Sequence, residues 1–227
     1  MSLLVLFDVD CTLFLTPDDL YGKALVESVR EVFGHELTSE ALASSDNAGE
    51  TAMAGVRKLL AADGLEGPVV DRGLQRWAKL FAARYLELLA AEDTNHWQVA
   101  PGAVDTLEQL ERDHRLALLT GNPEPMARAR MERLDLARFF PPGHGGFGSD
   151  GEPPADLVAV ARERAGDWPA ERTVLVGDTP RDVEGAHAAG VKAVGITLGR
   201  FDAEALAAAD AVVDSMRALP ETLRGLA

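Results

Sequence analysis

The chain has 227 residues, 47% of them hydrophobic and 26% charged, with a formal net charge of −15 at pH 7. That length can bury a full core; the acidity argues against nucleic acid or an anionic membrane as partner; and no apolar run approaches the ~20 residues of a bilayer span. A single cysteine, Cys11, permits no internal disulfide and fits a cytoplasmic setting, and MSLLVLFDVD lacks the basic flank of a signal peptide.

The first predicted element is a strand in LLVLF, apolar throughout and therefore buried on both faces, which runs into two carboxylates, Asp8 and Asp10. Two like charges beyond a buried strand require either solvent or something positive between them. Helices follow over Asp18–Phe33, from about Glu50 to Ala62, and over roughly Asp71–Glu92, the last with a stripe of Leu74, Trp77, Leu80, Phe81, Tyr85 and Leu88. Its aromatics read as helix-packing core.

From Pro101 the pattern changes. A helix at Gly102–Arg112 leads to strand RLALLTGN, a helix over Glu124–Leu134, a Gly- and Pro-rich loop and a helix near Ala155–Ala165. Strand TVLVGDTP, helix DVEGAHAAG, strand KAVGIT, a short helix near Ala203–Ala208, strand DAVVD and a final helix complete the chain. Strands alternating with helices predict an α/β fold, a doubly wound parallel sheet of Rossmann-like form. The helices between the first strand and this set read as an inserted helical cap domain over 16–95, with the core domain formed by 1–15 and 96–227. The loop GHGGFG lacks a Gly-Lys-Ser/Thr ending and reads as a flexible connection rather than a phosphate loop. The five histidines have no metal-ligand spacing.

Three apolar strands end in polar residues: Asp8–Thr12, Thr120–Asn122 and Asp178–Asp182. Ligands of doubly wound sheets bind beyond the carboxyl ends of the strands, so these ends point to one site. In chemical terms Asp8 suits a carboxylate nucleophile that attacks phosphorus, and Asp10 a general acid and then base. An oxygen-rich site of this kind suits Mg²⁺. The Thr120 hydroxyl and the amides of Gly121 and Asn122, at the start of a helix, suit phosphate binding, and Thr12 suits the same task.

The residues Asp8-Val9-Asp10-Cys11-Thr12, Thr120-Gly121-Asn122 and Gly177-Asp178-Thr179-Pro180-Arg181-Asp182 resemble the motifs of the haloacid dehalogenase-like hydrolases. The resemblance spans essentially the whole chain, and TGNPEPMARARM and GGFGSD resemble the branch of phosphoglycolate phosphatases. It implies a magnesium-dependent hydrolase of small phosphate monoesters, working through an aspartyl-phosphate as a monomer or homodimer. The implied Mg²⁺ ligands are the Asp8 side chain, the Asp10 backbone carbonyl and Asp178, with Asp182 supporting them, and the implied partner is a small phosphorylated metabolite. Cys11 stands where the family most often has glycine and reads as a small residue tolerated in the loop. Pro154 stands where the family places a lysine or arginine; Arg130 is the substitute candidate for phosphate binding, with Arg162 and Arg164 behind it. Substrate choice falls on the cap loop, through Asn47 and Glu50, unless Asp46 or Asn47 merely caps a helix. A dehalogenase is the rival enzyme, and a phosphate-binding pseudo-enzyme the alternative from another class.

Overall fold

Leu4–Phe7 form β1, and its side chains divide between two cores, as a strand buried on both faces must do. The computed structural model describes residues 1–44 and 48–227. Leu3, Val5 and Phe7 join one apolar cluster and Leu4 and Leu6 another. Five more strands pair in parallel around β1: β2 (Arg115–Thr120), β3 (Gly146–Phe147), β4 (Thr173–Gly177), β5 (Lys192–Ile196) and β6 (Ala211–Val213). The order is β3-β2-β1-β4-β5-β6, with Leu4 opposite Arg115 of β2 and Thr173 of β4. The chain leaves β1 toward β2 and later returns to its other side at β4. Strand order therefore reverses at β1, where a crevice opens beyond the carboxyl ends.

Helices cover both faces. On the Val5 side lie α5 (Ala103–Leu110), α6 (Glu124–Arg133) and α9 (Leu219–Leu226), contributing Leu107, Met131 and Leu223. On the Leu4 side lie α7 (Pro154–Arg164) and α8 (Pro180–Ala188), contributing Leu157, Val158 and Val183. Four helices intervene between β1 and α5: α1 (Asp19–Phe33), α2 (Ser39–Ser44), α3 (Ala52–Ala62) and α4 (Pro68–Ala90). With Met126 of α6 they make a separate apolar core, in which Trp77 stacks on Phe81 at 4.9 Å and Tyr21 meets Phe81 edge-on at 5.0 Å. Asp18 caps α1 by accepting from Leu20 N at 3.0 Å, and Gly34 closes it in the left-handed region at φ 62°.

Several local expectations are corrected. Residues 203–208 form turns rather than a helix, and α2 was not foreseen because six residues are too few to show a period. GHGGFG is no free connection: Gly146 and Phe147 form the edge strand β3 beside Leu119 and Thr120. Two residues, one of them glycine, carry no alternation from which a strand could be read. Thr51 caps α3, its hydroxyl accepting from Ala54 N; Asp46 and Asn47, the other capping candidates, lie outside the described residues. Among the described residues no helix is long and apolar enough to cross a membrane.

Candidate active site

Beyond the ends of β1, β2 and β4 lies a cavity of about 420 Å³, lined among others by Asp8, Asp10, Thr120, Gly121, Asn122 and Asp178. β1 stops at Phe7, so both N-terminal acids belong to the loop rather than to the strand. That loop is tightly wound, with Leu13 N and Phe14 N both donating to Val9 O. Its tip is Cys11, at φ 57°, a conformation that glycine adopts without strain and other residues seldom adopt.

The carboxylates of Asp8, Asp178 and Asp182 approach one another, each offering an oxygen within 4.8 Å of the others. Asp182 reaches them from the first turn of α8, where a reciprocal cap fixes it: Thr179 N donates to Asp182 Oδ2 at 2.9 Å and Thr179 Oγ1 donates at 2.7 Å. Burial first, then the facing carboxylates, raises the Asp8 carboxyl well above its ordinary range. Burial and Asp182 push Asp178 up to about 7, and burial raises Asp182 as well. Crowded, partly desolvated oxygen donors of this kind suit a hard divalent cation, which would relieve their repulsion.

Asp10 faces the other way. Arg130 Nη1 donates to its Oδ1 at 2.9 Å and Asn122 Nδ2 to its Oδ2 at 2.5 Å, while half its side-chain surface stays exposed. Arg130 is almost wholly buried on α6. Its Nη2 donates to Asp18 Oδ2 at 2.7 Å and its Nε to Tyr85 Oη at 2.9 Å, with the guanidinium between the rings of Phe14 and Tyr85. Tyr85 Oη in turn donates to Asp18 Oδ2 at 2.6 Å. One buried cation thus joins the helical block, through Asp18 and Tyr85, to Asp10.

Thr120 Oγ1 accepts from Asn122 N at 3.2 Å and from Asn122 Nδ2 at 3.1 Å, which leaves its own proton to donate. A side chain at Gly121 would strike the carbonyl of Glu50, so glycine is what lets the loop before α3 rest on this motif. Ala52 N donates to Gly121 O at 2.7 Å, Thr51 Oγ1 to Glu152 O at 2.8 Å, and Arg57 grips the Glu152 carboxylate through Nε and Nη2. Glu50 lies on the cavity wall and pairs with Lys58 and with Arg181.

A family description, haloacid dehalogenase-like hydrolase, matches residues 3–190. The chain belongs to the haloacid dehalogenase-like hydrolases. Within this family it is similar to a phosphoglycolate phosphatase of Pseudomonas putida, 33% identical over 95% of this chain and 78% of that one. A phosphoglycolate phosphatase of Pseudomonas fluorescens is 30% identical over the same shares. Among solved structures, β-phosphoglucomutase from Clostridium difficile superposes with a TM-score of 0.72 at 16% identity, over 100% of this chain and 97% of that one. CbbY from Rhodobacter sphaeroides, solved in complex with phosphate, gives 0.68 at 22% identity over 96% of both chains. At such identities these two speak for the fold alone, an α/β hydrolase core with a parallel sheet.

In this hydrolase most of the residues singled out in the sequence meet at the cavity. Asn47 lies outside the described residues. Arg162 and Arg164 do not reach the wall: Arg162 Nε donates to Trp168 O and Arg164 pairs with Asp150. Pro154 opens α7 and packs close to Gly185 of α8. The sequence reading missed Asp18 and Tyr85, taken as a helix start and as core packing, and it missed Arg200 and Phe201, which follow β5 onto the wall. The signal for Arg200 was a Gly-Arg pair just past a strand end, the position that made the other three strand ends informative.

Cys11 is exposed, but burial of its thiol and the carboxylates of Asp178, Asp10 and Asp8 push it up to about 11. At pH 8 only about one thiol in a thousand would be ionised. We expect alkylation by iodoacetamide far slower than that of a free cysteine under the same conditions, followed by intact mass. Equal rates would contradict this electrostatic reading of the loop.

Proposed function

We propose that this hydrolase is a Mg²⁺-dependent phosphatase that cleaves a small-molecule phosphate monoester through an aspartyl-phosphate at Asp8. The observation that carries the reading is the convergence of the Asp8, Asp178 and Asp182 carboxylates in a cavity that also presents Asp10, Thr120 and Asn122. A cation held by Asp8, the Asp10 carbonyl and Asp178, with Asp182 in support, would supply positive charge to the phosphoryl oxygens. The Asp8 carboxylate attacks phosphorus, and Thr120 and the Gly121–Asn122 turn bind the equatorial oxygens. Asp10 protonates the leaving oxygen and then takes the proton of the attacking water. Arg130 and Asn122 fix one oxygen of Asp10 each, and every carboxylate oxygen keeps a second lone pair for that transfer.

The helical block, assigned to 16–95 as a cap, closes over the site through the contacts of Thr51, Ala52 and Arg57, which would exclude water from the intermediate. The cavity volume favours a compact leaving group such as a hydroxy acid or sugar, in keeping with the phosphoglycolate phosphatases among the relatives. Glu50, on the wall, and Asn47 are assigned to its selection. A single cysteine and an acidic surface support a cytoplasmic setting without nucleic acid or membrane as partner.

The test is phosphate release from p-nitrophenyl phosphate and a panel that includes 2-phosphoglycolate, with Mg²⁺ and with chelator, beside halide release from 2-haloacids. Metal-dependent phosphate release is expected. Halide release without phosphate release would favour the dehalogenase, for which an acid that protonates a leaving oxygen has no task.

The raised carboxyls give this reading a pH signature. An acid that ionises less readily in the folded chain than in the unfolded one subtracts stability as it loses its proton. That loss is absent below about pH 4, grows above it, and for Asp178 is complete above about 7. Mg²⁺ binds the ionised form, so the rise in Tm on adding a fixed Mg²⁺ concentration should be larger at pH 8 than at pH 5. Differential scanning fluorimetry would show this, and an equal or larger rise at pH 5 would count against the acid cluster as the metal site.

A further inference from the structure

A buried polar network runs from the helical block to Asp10. It starts at Asp18, whose Oδ1 accepts from Leu20 N at 3.0 Å and so ties the carboxylate to the head of α1. Asp18 Oδ2 accepts from Tyr85 Oη of α4 at 2.6 Å and from Arg130 Nη2 of α6 at 2.7 Å. Tyr85 Oη accepts from Arg130 Nε at 2.9 Å, and Arg130 Nη1 donates to Asp10 Oδ1 at 2.9 Å. Tyr85, Arg130 and the Asp18 side chain are buried, whereas Asp10 keeps half of its side-chain surface open.

Apolar side chains of similar volume would fill this space about as favourably as the ions do. What the polar arrangement adds is direction. The rings of Phe14 and Tyr85 lie 5.3 and 5.1 Å from the guanidinium carbon of Arg130, and Asp18 and Tyr85 hold two of its nitrogens. A planar fork restrained in this way presents its third nitrogen, Nη1, to Asp10 along a fixed line. Both restraining partners come from the helical block, one from α1 and one from α4.

We infer that Asp18 and Tyr85 are positioning residues for proton transfer, acting through Arg130 to aim Asp10 at the leaving oxygen. The acid is then set in place only while the helical block is docked against α6. The inference rests on the phosphatase reading, in which Asp10 protonates that oxygen. Proton donation matters most where the leaving oxygen is most basic: p-nitrophenolate departs with little help, and an alkoxide does not. Because kcat/KM covers only the steps up to departure of the alcohol, it reports Asp10 as acid and leaves out its later task as base.

The experiment measures kcat/KM for wild type, Tyr85→Phe, Asp18→Asn and Arg133→Ala, all saturated with Mg²⁺. The esters are p-nitrophenyl phosphate, phenyl phosphate and 2-phosphoglycolate, in order of increasingly basic leaving oxygens. Tyr85→Phe keeps the ring and Asp18→Asn keeps a side chain able to cap α1, so both should fold, as circular dichroism would show. Arg133→Ala is the control: Arg133 Nη2 of α6 donates to Leu89 O of α4 at 2.9 Å, a contact between the same two helices that does not involve Asp10. For Tyr85→Phe and Asp18→Asn we expect a loss of about twofold on p-nitrophenyl phosphate, growing to roughly 20-fold on 2-phosphoglycolate. Phenyl phosphate should fall between them; it shares the shape of the first ester and lacks the carboxylate of the last, so a step between the two aryl esters separates proton transfer from leaving-group recognition. Arg133→Ala should lose the same factor, if any, on all three. A loss equal for all three esters in either network variant, or no loss, would overturn the inference and leave the phosphatase reading standing. A gradient as steep in Arg133→Ala would overturn it too, by making the effect a general loosening of α4 on α6. Wild type that turns over none of the esters would remove the phosphatase reading and this inference with it.

Discussion

Replacing Asp8 by asparagine is expected to abolish turnover, by at least about a thousandfold in kcat, while leaving the fold intact. The two parts of that expectation have different sources. Activity is lost because the amide offers no anionic oxygen to attack phosphorus. Folding survives because the Asp8 carboxylate is a liability in the metal-free chain: burial and the negative charges of Asp182, Asp178 and Asp10 all oppose its ionisation. Asp8→Asn removes one of the repelling charges, so its metal-free Tm at pH 8 should equal or exceed that of wild type. Mg²⁺ should stabilise the variant less than wild type, since one ligand charge is gone. Near-normal turnover in Asp8→Asn, with contaminating phosphatase excluded, would contradict the nucleophile assignment; a collapsed fold would contradict the electrostatics.

The largest effect on stability is expected at Arg130. Replacement by leucine keeps part of the apolar stem but removes the guanidinium set over the Phe14 and Tyr85 rings, and with it the cation bonded to Asp18, whose side chain is 6% exposed. Stranding a buried charge in this way costs about 3–5 kcal/mol. For a chain of this size that corresponds to a fall in Tm of roughly 10 °C. Lysine should not restore it, because the three separate directions in which Arg130 donates need a planar fork. The double variant Arg130→Leu with Asp18→Asn should lose distinctly less than the sum of the two single losses, since the second change removes the stranded charge. Strict additivity in urea denaturation would mean that the pair is not coupled. Activity should fall too, because Asp10 then keeps only Asn122 to orient it.

What the sequence could and could not disclose follows from the range over which each interaction acts. The apolar run Leu4–Phe7, the alternation of strands with helices after Pro101 and the polar ends of β1, β2 and β4 are local patterns. They sufficed to place a parallel sheet and to point to its carboxyl edge, where the cavity lies. The acid cluster was legible for the same reason, since Asp8, Asp178 and Asp182 each sit at or just beyond a strand end. The partners of Arg130 were not legible: Asp18 is 112 residues away and Tyr85 is 45 away, and each has a sufficient local explanation, one as a helix cap and the other as helix packing. β3 was missed because two residues cannot show a period, and Arg200 because one arginine after a strand resembles any solvated charge until the fold sets it beside Asp178.

The central claim is that Asp8 carries the phosphoryl group during turnover, and it can be tested on the intermediate itself. The enzyme would be mixed with excess 2-phosphoglycolate or p-nitrophenyl phosphate and Mg²⁺, quenched within milliseconds and treated with borohydride, which reduces an acyl phosphate to an alcohol. The peptide spanning residues 1–22 would then be sequenced by mass spectrometry. Homoserine is expected at position 8, dependent on both substrate and metal and absent from Asp8→Asn. Steady phosphate release with Asp8 unmodified at every quench time, or homoserine at Asp10 or Asp178 instead, would contradict it.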